Sequence, residues 1–425
     1  MRFIFFSPDD HFENWDWRNP DVKGIGGSET SHIEMARRLK ARGHEVISYN
    51  GLPEDSPGEW NGIPWRHYRD CNFDHEGIWV FYRCPAAFKT AKKPPGQVWW
   101  LILQDWDYFD ADWNAVAEKV DRVWTLSKCQ TKNMLERFPQ LGPRLNMTSN
   151  GIKLDLIESV EAELKEKRDP FKVMFTSSPD RGLFSLARIF RKAREYEPRL
   201  NLHVFYGFDN IDKVIAENDR KLAETCTFLK NATLKALDQP NVVLHGRVPQ
   251  RELTYHWLTA GIWCYPCVFH ETSCITCMEA QACGAIPLLN PVWAQGENTH
   301  HGLFIEGNCE EDSYTQARFA AELAKLAGNE VLQQKIRPAM MADARRRFDW
   351  EVFVSQWIEA ALIDTKEMEM AEQKSSEIKT PFVDAVMKKG GVSPSGGKTT
   401  GSESGLPGRT SSGNAMPEVN REQAG

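Results

Sequence analysis

Glu271 and Glu279 stand eight residues apart in a segment, 270–287, that closes on Gly284-Ala285-Ile286-Pro287. Ionised carboxylates accept hydrogen bonds from hydroxyls, so two on one helix can grip separate parts of an extended polar ligand. A helix opening near Thr272 puts Glu271 at its positive N-terminal end. Glu279 then returns to a similar face about two turns later. A bare pair with this spacing is ordinary on solvated helices. Its surroundings set this one apart: an apolar run, 260–266, precedes it and the small residues Ala282-Cys283-Gly284 follow.

Other residues suit the same kind of ligand. Arg181 stands before Gly182, where a helix should begin, and a guanidinium there fits an anion. Near the start, an apolar strand at 2–6 leads through a polar loop to Gly24-Ile25-Gly26-Gly27-Ser28-Glu29. That loop opens a helix with Ile33, Met35, Ala36 and Leu39 at apolar positions, and Gly43 returns the chain to a strand. Glycines at such a turn let the backbone approach a phosphate or sugar closely, although the spacing is not the dinucleotide fingerprint. Further strand-to-turn segments read at 121–127, 147–152, 172–182 and 241–248.

In this order the segments resemble the glycogen-synthase-like family of retaining glycosyltransferases, across residues 1 to about 363. The Glu279-Ala280-Gln281-Ala282-Cys283-Gly284-Ala285-Ile286-Pro287 stretch resembles the family's E-A-x-A-x-G-x-P ending of an E-x7-E signature, with one position inserted before the proline. The 24–29 loop resembles its G-G-x-E loop, 147–152 its handover between domains, 172–182 its phosphate loop, and 241–248 the turn beside the nucleobase.

The resemblance implies a GT-B fold: two Rossmann-like α/β domains with parallel sheets facing across a cleft, and a C-terminal crossover helix. The expected division is an acceptor-side domain at 1–160, a donor domain at 161–345, a crossover helix at 346–363 and a disordered tail at 364–425. It implies a hexosyltransferase that moves sugar from a nucleotide diphosphate with retention, needing neither metal nor cofactor. Glu271 and Arg181 are then catalytic. Glu279 binds the ribose, the backbone of Thr272, Ser273 and Cys274 the diphosphate, and Gly246 and Arg247 the base, with Gly26 and Gly27 across the cleft. The chain departs from the pattern twice. Thr176 falls where a first phosphate-binding cation is common, and Gln104 where many relatives place a histidine.

Composition agrees with two α/β cores. The chain has 425 residues and a formal net charge of -7, which argues against broad nucleic-acid binding. No apolar run reaches bilayer length and no signal peptide is legible, which points to the cytoplasm. The ten cysteines read as reduced, buried thiols there. Cys264-x2-Cys267 and Cys274-x2-Cys277 look like zinc knuckles, but their separation is too short for the usual ribbon. The region after 391 is rich in Gly, Ser, Thr and Pro, with too little apolar surface for a core.

The acceptor is less legible. Ten of the fifteen tryptophans precede residue 125. Trp15 and Trp17, in a polar loop before the glycine turn, are the expected exposed stacking surfaces. Gln104 and Asp105 complete the acceptor-side set, and Asp105-Trp106-Asp107 reads as structural or acceptor-facing rather than as a metal site. Glycan, lipid, protein, small-molecule and modified nucleic-acid acceptors all stay open, as does oligomeric state. Two other functions fit the same fold: a nucleotide-sugar epimerase and a non-catalytic binding protein.

Overall fold

The computed structural model describes residues 1–8, 14–108, 111–217 and 220–387, with 374–387 as helical backbone. The first domain is built on an eight-stranded sheet. Its strands are β1 (Arg2–Ser7), β2 (Glu45–Asn50), β3 (Glu59–Trp60), β4 (Ile63–His67), β5 (Gly77–Tyr82), β6 (Gln97–Ile102), β7 (Arg122–Thr125) and β8 (Leu145–Met147). They lie in the order β3-β4-β2-β1-β5-β6-β7-β8, all parallel except the β3–β4 hairpin. A parallel sheet is covered on both faces, so its strands carry continuous apolar runs. β1 obeys this rule: Phe3 and Phe5 enter one core, and Ile4 and Phe6 the other.

The second sheet is fully parallel. Its strands are β9 (Asp169–Phe175), β10 (Asn201–Phe205), β11 (Val242–Gly246), β12 (Ala260–Tyr265), β13 (Ile286–Leu289) and β14 (Leu303–Phe304). The order is β11-β10-β9-β12-β13-β14. In open sheets of this kind, ligands bind outside the carboxyl ends of the strands. Gly246 ends β11, and Arg181 and Glu271 lie beyond the C-terminal ends of β9 and β12.

The chain passes between domains at Asn150-Gly151-Ile152. Ile152 N donates to Phe348 O at 2.7 Å. A Cβ on Gly151 would lie 2.8 Å from both Phe348 O and Trp350 Cδ2, so no larger residue fits without displacing the crossover. The helix Trp350–Met387 then packs back on the first domain, with Trp350, Phe353, Val354 and Trp357 in the core that holds Phe3 and Phe5.

The expected end of this helix at 363, with a solvated tail from 364, is corrected. Asp364 is buried, 7 % exposed, where it accepts from Trp100 Nε1 at 2.6 Å and pairs with Arg122 at 2.6 Å. An aspartate reads as solvent-facing in sequence, but a paired, hydrogen-bonded one can stay inside. Further along, Met368 packs against the first-domain core and Glu372 Oε1 accepts from Gly96 N at 2.8 Å. The Gly- and Ser-rich stretch after 391 lies outside the described residues.

Candidate active site in the interdomain cleft

The helix carrying Glu279 is Ile275–Cys283, capped at Cys274 and ended by Gly284 with φ +92°. It therefore starts three residues later than the sequence suggests, and Glu271 sits in the preceding loop rather than on the first turn. The reason is visible in the hydrogen bonds of 272–274, which are directed elsewhere. Thr272 Oγ1 donates to the Gln104 carbonyl at 2.7 Å, and Ser273 Oγ accepts from Asn150 N at 3.2 Å. Cys274 N donates to Asn298 Oδ1 at 3.2 Å. Of the backbone N–H groups expected to face a diphosphate, that of Cys274 is engaged by Asn298, while the Thr272 and Ser273 side chains fasten the second domain to the first.

Arg181 and Glu271 do come together. β9 ends at Phe175, and the chain turns through Asp180 and Arg181 into the helix Leu183–Tyr196. The turn needs Gly182, whose φ is +89° and whose Cβ would stand 2.1 Å from Pro266 O. This brings Arg181 against the 265–271 segment, its guanidinium carbon 3.0 Å from the Phe269 ring centroid. Arg181 Nε pairs with Asp180 at 3.2 Å, while Nη1 is buried and has no hydrogen-bond partner among the described residues. Burial opposes the Arg181 charge, but the Glu271 and Asp180 carboxylates outweigh it and hold the pKa above the ordinary value. Glu271 in turn accepts from Tyr265 Oη at 2.9 Å.

Glu279 is in a different state. Burial pushes its carboxyl up to about 7, and Lys153 and Trp257 offset only part of that. Lys153 also pairs with Glu34 at 3.1 Å, and Glu34 is 2 % exposed beneath Arg37 and Arg38. One ammonium thus serves a buried structural carboxylate and lies within the field of the candidate ligand carboxylate. Sequence reading missed Lys153, whose only local signal is its position after Asn150-Gly151-Ile152.

The remaining predicted residues divide. Gly27 approaches the donor-side helix, its Cβ position 3.4 Å from Ile275 Cδ1, and Gly26 caps the helix Gly27–Ala41. Gly246 adopts φ +70°, and Arg247 lies 4.6 Å from the Tyr206 ring and donates to Asn210 at 3.1 Å. Asp105 pairs with Arg83 at 2.8 Å, and Asp107 with Arg137 at 2.9 Å, so the two carboxylates face different arginines. Gln104 is buried against Asn150. Trp15 is corrected from an exposed loop residue to core, 2 % exposed and edge-on to His32 and Trp65. Trp17 packs on Trp60 and Trp65. Folding the loop over the β2–β4 edge buries more apolar area than exposing two indoles would.

Another aromatic group spans the cleft. His270 stacks on Trp293 at 4.6 Å, and Trp106 of the first domain meets His270 edge-on at 5.1 Å. Trp293 holds φ +50°, and Arg83 and Tyr206 also have positive φ. Backbone strain of this kind concentrates at functional sites. Among the cysteines, Cys264, Cys267, Cys274 and Cys277 are free thiols packed in the second-domain core. No helix among the described residues is long and apolar enough to cross a membrane.

Neither a protein-family model nor a curated protein sequence matches the chain. Solved structures do. Sucrose-phosphate synthase from Thermosynechococcus elongatus aligns at TM-score 0.63 and 13 % identity, over 85 % of this chain and 98 % of its own. A glycosyltransferase from Rickettsia africae ESF-5 aligns at 0.60 and 12 %, over 86 % and 98 %. Anabaena HepE, solved in complex with UDP-glucose, aligns at 0.58 and 13 %, over 88 % and 100 %. At these identities the likeness is one of fold, and at 85–88 % of the chain it is too long to be confined to one domain.

Proposed function

From the GT-B fold and the residues gathered in its cleft, we propose that this protein is a glycosyltransferase that takes a sugar from a nucleotide diphosphate and passes it to an acceptor hydroxyl with retention. The observation that carries the reading is Arg181: a partly buried guanidinium whose Nη1 is buried and unpartnered, beside Glu271, where β9 opens into the cleft. Buried polar groups are almost always hydrogen-bonded, and a diphosphate oxygen would complete this one. Anabaena HepE, of the same fold, is solved with UDP-glucose, which supports a nucleotide-sugar donor.

In this reading Glu279 accepts from the ribose hydroxyls and Glu271 from the sugar. Transfer breaks the bond between the anomeric carbon and the diphosphate oxygen and joins that carbon to the acceptor oxygen. The acceptor proton ends on the leaving diphosphate. Arg181 stabilises the negative charge that grows there. The reading includes no divalent cation: Asp105 and Asp107 are each engaged by an arginine and do not converge on one point. The Trp106–His270–Trp293 group, open to the cleft beside Glu271, offers the acceptor a stacking surface. One observation favours a non-catalytic binder instead: Thr176 supplies no charge, and Arg181 already contacts Asp180.

The test is a panel of nucleotide sugars scored for thermal stabilisation and slow hydrolysis. One sugar nucleotide should raise the melting temperature and release its sugar with the anomeric configuration of the donor. Stabilisation without release, with and without candidate acceptors, selects the binder; neither effect with any member rejects both.

A further inference from the structure

A second cluster of chemically capable side chains lies on the second domain, outside the residues assigned to the donor. His203 on β10, His245 on β11 and the His256 side chain on the helix Gln250–Thr259 each present one ring nitrogen within 4.8 Å of the others. The His203 and His245 rings stack at 5.1 Å, and His256 meets His245 at 4.7 Å with the rings inclined at 60°. Phe205, 2 % exposed, lies flat on His245 at 4.3 Å and closes the apolar side. All three imidazoles are half-buried, and β11 is the edge strand of its sheet, so solvent reaches the group.

The surrounding hydrogen bonds orient the rings. Asn201 Nδ2 donates to Asp169 Oδ2 at 3.0 Å, which leaves its Oδ1 to accept from His203 Nε2 at 3.1 Å. The lone pair of His203 is thereby assigned to Nδ1, which faces His245 Nε2 at 2.9 Å. A carboxylate, an amide and an imidazole in series is the outer-shell support that fixes a metal-ligating histidine. Lys172 Nζ stands 3.0 Å from His256 Nδ1 and also donates to Thr259 Oγ1 at 2.8 Å. It can therefore release His256 and keep a partner.

We propose that His203, His245 and His256 form a binding site for a zinc-class divalent ion, with Lys172 as the cation the metal displaces from His256. Imidazole is a preferred ligand for such ions. Bonds of ~2.0–2.1 Å in a tetrahedral site space the ligand nitrogens about 3.3 Å apart, within the span the three rings already occupy. A fourth position falls to solvent at the sheet edge. The site adjoins the base-side turn, because His245 immediately precedes Gly246 and Arg247.

Metal-depleted full-length protein is titrated with Zn²⁺ and, as a coloured probe, Co²⁺. The expected result is one ion per chain, a visible tetrahedral-type Co²⁺ spectrum and a raised melting temperature. His245→Asn at the sheet edge and His256→Gln should each weaken binding at least tenfold while keeping the native circular dichroism. Lys172→Met should strengthen it, an outcome that a damaged fold cannot mimic. Absence of stoichiometric binding by the wild-type chain overturns the proposal. So does unchanged affinity in both histidine variants, which would point to the buried cysteines. None of these readouts involves a sugar nucleotide, so their failure is distinct from failure of the transferase reading.

Discussion

The Thr272 hydroxyl donates to the main-chain carbonyl of Gln104 at 2.7 Å, across the boundary between the two domains and 168 residues of chain. The residue after Glu271 is thus tied to the segment that follows β6, beside the bonds that join Ser273 to Ser149 and Asn150. Thr272→Val keeps the shape and leaves a buried acceptor unpaired, at a cost of about 1–2 kcal/mol. The melting temperature should fall a few degrees, and Thr272→Ser should recover most of the loss. Equal melting temperatures for Val and wild type would show that the bond contributes nothing.

In its proposed role as ribose ligand, Glu279 predicts a pH dependence of donor binding with a definite sign. A carboxyl pushed up to about 7 is roughly one-tenth ionised at pH 6 and nine-tenths at pH 8. Only the ionised form accepts from both ribose hydroxyls, so donor affinity should rise about tenfold over that range and be lost as pH falls through 7. Glu279→Gln should flatten the profile. Calorimetric titration at several pH values reads both, and a wild-type profile as flat as the variant's would remove Glu279 from the donor site.

Glu271→Ala should lower kcat at saturating donor by about 10²-fold or more, with a smaller change in KM, because its contact strengthens as the sugar becomes cationic. Tyr265→Phe removes the 2.9 Å hydrogen bond to Glu271 and should have a weaker effect in the same direction. A change in KM alone would make Glu271 a binding residue only.

Arg181→Lys should fail to replace arginine. The guanidinium stacks on Phe269 while Nε reaches Asp180, which leaves Nη1 for the proposed diphosphate contact, and an ammonium cannot do both. Loss of donor hydrolysis by about 10²-fold in the lysine variant is expected, measured beside circular dichroism to exclude unfolding. Wild-type turnover in Arg181→Lys would show that charge alone suffices.

The extended crossover helix makes a truncation series informative. A chain ending at residue 387 should keep fold and donor affinity. One ending at 363 removes Asp364 from beneath Trp100 and Arg122 and leaves a largely buried guanidinium unpaired, at a cost of about 3 kcal/mol or more. Asp364→Ala in the full chain should reproduce most of that loss. If both truncations melt alike, the Arg122–Asp364 pair is not what holds the helix.

The sequence by itself carried the parts that are local. Apolar runs such as Phe3-Ile4-Phe5-Phe6 marked strands, the glycine turn at 24–27 marked a helix start, and the order of segments marked two α/β domains. Period and spacing act within a dozen residues, so no third dimension is needed to read them. It also marked Arg181 and Glu271, which lie close enough to interact, because segments at the ends of neighbouring parallel strands converge by topology.

Tertiary structure decided whatever depends on which distant groups meet. Trp15 reads as a loop residue but fills space against His32 and Trp65. Asp364 reads as tail and is buried by an arginine 242 positions away. Lys153 stands between Glu34 and Glu279, and His203, His245 and His256 reach one point from three elements. Burial and pairing energies are set by neighbours in space, and chain spacing carries no record of them beyond the next turn of helix or strand.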